Sequence, residues 1–195
     1  MNRYVLISGI MGPVTTLLLI LIDILLSGSF SWHTDIPGIT EIQNSYLFDS
    51  AVIFWSIMNI IFAISLYKVY PIKFLSIGFI IAGSICLLFM GIFNGNYGMH
   101  LIFELTYFII LPLGIIIFSI FRINKYINIY GYTSGILSLA AIISGIFINF
   151  YYADVKIGLP ATETIEAILL GSWSVVTGSY TIKNYTSLKW KLYNI

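Results

Sequence analysis

Six stretches of this chain are apolar for long enough to cross a lipid bilayer, which leaves few ways for it to fold. They run from Tyr4 to Leu26, Tyr46 to Leu66, Ile72 to Phe93, His100 to Phe121, Ile129 to Tyr151 and Ala161 to Tyr180. A helix needs roughly 20 mostly apolar residues to span a hydrocarbon core about 30 Å thick. In lipid every backbone N–H and C=O must find a partner within the protein, so only helices and closed barrels can cross. Barrel strands alternate apolar and polar residues, and these runs do not. The expected fold is therefore all-α: a single membrane domain over 1–195, built as a bundle of six transmembrane helices with one longer loop at 28–45. Composition agrees, because 59% of the 195 residues are hydrophobic and 9% are charged, too few charges to cover a soluble domain of this size.

The first run lies where a signal peptide would, with Arg3 ahead of it and Ser27-Gly28-Ser29 behind. It is longer than the apolar core of such a peptide, about 7–15 residues. It is expected to remain as the first helix; cleavage would leave five.

Charge sets the expected orientation. The cations are Arg3, Lys68, Lys73, Arg122, Lys125, Lys156, Lys183, Lys189 and Lys191. With the N-terminus inside, every one except Lys156 falls on the cytoplasmic side, the asymmetry expected of a multi-pass protein of the cell membrane. Both termini are then cytoplasmic. The acids Asp23, Asp35, Glu41, Asp49, Glu104, Asp154, Glu163 and Glu166 all fall toward the opposite side, with His33 and His100. Titratable chemistry thus collects at the outer end. Aromatic residues mark both interfaces, with Tyr67, Tyr70, Tyr126, Tyr130, Tyr180 and Trp190 inside and Trp32, Tyr46, Tyr97, Tyr151 and Tyr152 outside, as suits rings at headgroup depth.

Small residues let helix backbones approach closely where lipid supplies no hydrophobic drive. The fifth run carries Gly131, Gly135, Ser138, Ala141 and Gly145 at helical spacing, and the sixth carries Gly171, Ser174 and Gly178. These two faces are expected to meet, with a dimer contact as the alternative. Pro13 and Pro112 lie inside helices and invite kinks.

Two pairs of chemistry-bearing residues share helix faces: His100 with Glu104, four apart, and Glu163 with Glu166, three apart. Together with His33, Asp35 and Asp49 they form a candidate outer polar site. Such a set can supply nitrogen and oxygen ligands to a metal, an acid/base pair acting on a lipid headgroup, or a purely structural hydrogen-bonded cluster. His100 and Glu104 are expected to face the bundle interior, joined first by Glu166 and next by Asp49. No nucleophile elbow, P-loop, dinucleotide fingerprint or CxxC pair accompanies them. The lone Cys86 rules out an internal disulfide or a cysteine metal site, and the residues name no cofactor. With a net charge of +1 and no basic run, nucleic acid is not an expected partner.

Three segments resemble the archaeal and bacterial membrane family called domain of unknown function 998. They are Thr34-Asp35-Ile36-Pro37-Gly38 followed by Leu47-Phe48-Asp49; Met90-Gly91-Ile92-Phe93 followed by His100; and Glu163 or Glu166 leading to Trp173. The resemblance implies the fold and the outer polar positions, not a reaction. Three classes of function follow from the sequence. The first is a non-catalytic subunit or assembly factor of a membrane complex, with membrane lipids and other membrane subunits as partners. The second is a lipid-headgroup-binding or metal-assisted lipid-modifying protein, and the third a small transporter. The absence of catalytic signatures favours the first.

Overall fold

The computed structural model describes residues 3–27, 46–70, 73–93, 97–120, 124–151 and 159–185. Among them a short 3-10 turn, Arg3–Ile7, leads into six helices: α1 (Ser8–Ser27), α2 (Tyr46–Val69), α3 (Phe74–Ile92), α4 (Tyr97–Ile120), α5 (Lys125–Tyr151) and α6 (Leu159–Lys183). The protein is an all-α membrane protein. Five of the helices, from α1 to α5, are long and apolar enough to cross a bilayer. The helix α6 is long enough, but Glu163, Glu166 and its threonines make it more polar than the others.

Each helix packs against its neighbours in the chain, and α6 returns to α1, so the six close into a ring. Contacts between α4 and α6 cross the middle of that ring. One end of the bundle carries every described lysine and arginine: Arg3, Lys68, Lys73, Lys125 and Lys183. The other end carries His100 and the described acids. We call them the basic and acidic ends.

The core toward the basic end is aromatic. Trp173 of α6 stands edge-on to Phe62 of α2 and Phe118 of α4, with centroids 6.2 and 5.6 Å apart. Tyr70 closes edge-on against Phe118 at 5.8 Å. Such pairs suit the ring quadrupole and add about 0.5–1.5 kcal/mol each beyond burial. Outward-facing positions are apolar too: Leu18, Leu25, Ile102 and Ile143 are all more than half exposed, as lipid-facing residues should be.

The polar residues of α6 lie on its inner face. Glu166 and Thr181 are fully buried and Ser174 and Thr177 almost so, while Ile165 and Ile168 are about half exposed. This is the reverse of a soluble surface helix, whose apolar stripe faces the core.

The glycines of α5 and α6 behave differently from the sequence expectation. Those two helices do pack together, and Gly145 lies against Thr162. A methyl group at Gly135, however, would stand 2.6 Å from Ile116 of α4, and one at Gly131 would strike Ser119 of α4. On α6, Gly171 receives Pro13 of α1, and Gly178 lies against Leu6 and Phe62. The two small-residue faces therefore do not meet face to face; each opens chiefly toward the helix on its other side. Proline explains part of this. Pro13 packs into the notch at Gly171, and the Pro112 carbonyl lies 3.0 Å from where a Gly135 Cβ would be, so each interrupted helix is met by a residue without a side chain. Ser138 and Ser174 are buried nearby, Ser174 donating to the Leu170 carbonyl at 3.2 Å.

Candidate functional site

At the acidic end, His100 sits in the first turn of α4 and is completely buried. Its Nδ1 lies 3.2 Å from the Met90 carbonyl in the last turn of α3, where helix carbonyls run out of regular intrahelical donors. A carbonyl only accepts, so Nδ1 carries the hydrogen and Nε2 faces the other way. Nε2 lies 4.0 Å from Glu104 Oε2, one turn along the same face. That is beyond hydrogen-bond length and within electrostatic reach.

Glu104 is 4% exposed. Across the ring, Glu163 of α6 is buried too, 7% exposed. Glu166 follows one turn later on the same inner face of α6. It is fully buried, and neither of its oxygens has a hydrogen-bond partner among the described residues. Tyr107, one turn beyond Glu104, is 1% exposed, and its hydroxyl too has no partner among the described residues. Every described lysine and arginine lies at the opposite end.

This cluster borders a cavity of about 80 Å³. A water molecule needs about 10–15 Å³ measured in this way, so the cavity admits several water-sized occupants. Its wall is largely apolar and aromatic: Leu17 and Ile20 of α1; Phe48, Val52 and Trp55 of α2; Leu87 and Met90 of α3; and Phe108 of α4. The polar points are Glu104, Glu163, Tyr107 and Thr164, with Ala167 beside them. The indole Nε1 of Trp55, a residue 3% exposed, is also unpartnered.

No family model, no curated protein and no solved structure matches this chain.

The sequence candidates are thus placed unequally. His100, Glu104, Glu163 and Glu166 are all buried at this end, and Glu104 and Glu163 share one cavity wall. Asp49 is half-buried in the first turn of α2, where its backbone carbonyl faces Gly91, and it is not part of the cavity wall. His33 and Asp35 lie outside the described residues. Among the described residues no three histidine, cysteine, aspartate or glutamate side chains converge closely enough to hold a metal ion. The arrangement offers hydrogen-bond acceptors beside an apolar chamber, not a ligand cage.

Sequence reasoning missed Trp55 and Tyr107, which read as ordinary core aromatics, and it missed Lys73. Lys73 is 3% exposed at the basic end. Its ammonium donates to the Phe118 carbonyl and lies 4.0 Å from the Phe118 ring centroid, so it caps the C-terminal end of α4. Burial lowers its pKa to about 7. Its place just ahead of an apolar run resembled that of any cytoplasmic anchor, and no local pattern separates the two.

Proposed function

We propose that this protein binds an amphiphile within the membrane, its apolar part in the cavity between α1, α2, α3, α4 and α6 and its polar head on Glu104 and Glu163. The observation that carries this reading is a set of buried carboxyl oxygens with no partner beside an apolar wall. Ionisable groups at membrane depth cost about 2.5–3.5 kcal/mol each on insertion scales, and they mark functional sites by default. Three buried glutamates from two helices, two of them on a cavity wall, are not explained by packing: well-fitted apolar residues would fill the same space at lower cost. A head rich in hydrogen-bond donors matches the acceptors, and the aromatic wall accommodates a tail. The expected role as a subunit or assembly factor draws on the absence of catalytic signatures and on the small-residue faces, and Gly131, Gly135, Gly171 and Gly178 are met by helices of the same chain. Transport remains compatible with the same site, since a binder that releases its ligand to either side is a transporter.

The proposed setting is a multi-pass protein of the cell membrane with both termini in the cytoplasm and the acidic end outside. The inward-turned polar stripe and outward isoleucines of α6 support its reading as a sixth span, because lipid would then meet only its apolar side. The resemblance of the three segments is what supports a place near the domain-of-unknown-function 998 membrane proteins.

Native mass spectrometry of the protein released from lipid nanodiscs tests the binding reading. The wild type is expected to retain one amphiphile per chain, and Ala167→Phe, which fills the cavity from its wall, to reduce occupancy at least tenfold. Equal retention by both proteins would place any bound lipid elsewhere and remove the reading.

A further inference from the structure

The size of the cavity and its unpartnered polar atoms narrow the ligand. We infer that the site takes the hydroxyl head of a phosphate-free membrane lipid, an alcohol on an apolar chain, and that the chain leaves sideways into the bilayer between α1 and α6. This rests on the binding reading above and deepens it.

Volume limits what can be enclosed. The cavity measures about 80 Å³, whereas an apolar cavity of about 150 Å³ is what holds one benzene. A small head and the first carbons of a chain fit inside, and the rest of the chain must pass through an opening. Burial shows where that opening is. The wall residues of α2, α3 and α4 are all buried, while Leu17 and Ile20 of α1 and Thr164 and Ala167 of α6 are only half-buried. Leu18 and Leu21 of α1 and Ile165 and Ile168 of α6 flank them, each about half exposed, so the opening gives onto lipid. Toward the basic end the same two helices are locked together: Gly178 lies against Leu6 and Ile10, and Pro13 fills the notch at Gly171. The seam therefore opens on the acidic side of Pro13, where the glutamates are.

The polar atoms decide the head. Among the described residues Glu163 Oε1 and both oxygens of Glu166 lack a hydrogen-bond partner, and so does Trp55 Nε1. Trp55 is 3% exposed and lines the cavity. A methyl group at Gly12 of α1 would stand 3.3 Å from Trp55 Cδ1, and one at Gly171 of α6 would stand 3.5 Å from Cζ2. Those carbons lie on either side of Nε1, so this edge of the indole turns toward the two helices of the seam. An indole N–H only donates, and an ionised carboxyl only accepts. The site thus calls for one small group that gives a hydrogen bond to a carboxyl oxygen and takes one from an indole. A hydroxyl does both. An ammonium has no acceptor and leaves Trp55 unanswered. A phosphate diester only accepts, and it would meet buried acids at an end of the bundle with no described lysine or arginine.

The test is native mass spectrometry of the full chain released from phosphatidylcholine nanodiscs that carry equal amounts of dioleoylglycerol, dioleoylphosphatidic acid and oleylamine. We expect dioleoylglycerol to be retained at least tenfold over either rival. Glu163→Gln, which keeps an acceptor oxygen, should retain it within about twofold of wild type, whereas Glu163→Leu and Trp55→Phe should each lower retention at least fivefold. The wild-type competition stands even if a variant folds poorly. Preference for oleylamine or phosphatidic acid would overturn the hydroxyl class and leave the binding reading intact. Retention of no lipid at all would overturn both. Excess free glycerol should leave retention unchanged, and displacement by it would overturn the lipid as the source of the hydroxyl. The route is read separately, from a bimane fluorophore on a single cysteine at Ile20 or Thr164 in a Cys86→Ser background. Doxyl-labelled lipid should quench it more strongly than aqueous iodide, and the reverse order would overturn sideways entry.

Discussion

Glu166 and Lys73 are the residues whose burial is hardest to account for by packing. Glu166 is fully buried with both oxygens unpartnered among the described residues. Such a group costs about 1–3 kcal/mol in unmet hydrogen bonding. Glu166→Leu, of similar bulk, is therefore expected to raise thermal stability by roughly that amount while weakening retention of the amphiphile, the trade expected where a site is held at the expense of the fold. A lower melting temperature would show that the carboxyl has a strong partner. Lys73 gives a prediction in pH. Its pKa falls from 10.5 to about 7 on burial, so between those values the unfolded chain binds the extra proton and the folded one does not. Stability then rises with pH through this window, and the cost of burying the charge is fully present below pH 7. The melting temperature of wild type minus that of Lys73→Met should increase between pH 6.5 and pH 9 in detergent solution. A flat difference would contradict the assignment. The sequence singled out Glu166 by its spacing from Glu163 but not Lys73, because sequence shows depth along a helix and not which way a side chain turns.

At the scale of helices, the apolar runs were legible and their partners were not. Length and hydropathy set where a helix crosses, whereas packing depends on which glycine meets which bulge. The pair Gly131 and Gly135 reads as a contact for the other glycine-bearing helix, yet Ile116 and the Pro112 carbonyl of α4 occupy the space above it. Gly135→Ala is expected to destabilise the protein by about 1–3 kcal/mol through overpacking. Gly78→Ala should do the opposite: nothing lies within 4 Å of the added methyl, and alanine gains about 0.8–1 kcal/mol over glycine in a helix. Thermal unfolding of the two variants in the same detergent checks both, and similar shifts in the same direction would mean that the close approach at Gly135 yields freely.

For the whole molecule, the class of fold was legible because a bilayer leaves so few solutions, and the expected all-α bundle is what the helices form. The meeting of His100, Glu104, Glu163 and Glu166 depended on facing, which helical spacing within a single run cannot supply across two helices. Orientation is tested separately. In a Cys86→Ser background, single cysteines at Asn96 and Val155 should react with an impermeant thiol reagent added outside intact cells, and cysteines at Lys68 and Asn124 should not. The opposite pattern would place the acidic end in the cytoplasm. The central claim, that the cavity bordered by Glu104 and Glu163 holds an amphiphile, is tested most directly by photolabelling in nanodiscs with a lipid that carries a diazirine in its acyl chain. Peptide mapping should find the label on cavity-wall residues of α1, α2 or α4, with Ala167→Phe suppressing it at least fivefold. Labelling that Ala167→Phe leaves unchanged, or that falls only on outward residues such as Leu18 and Ile102, would contradict the account.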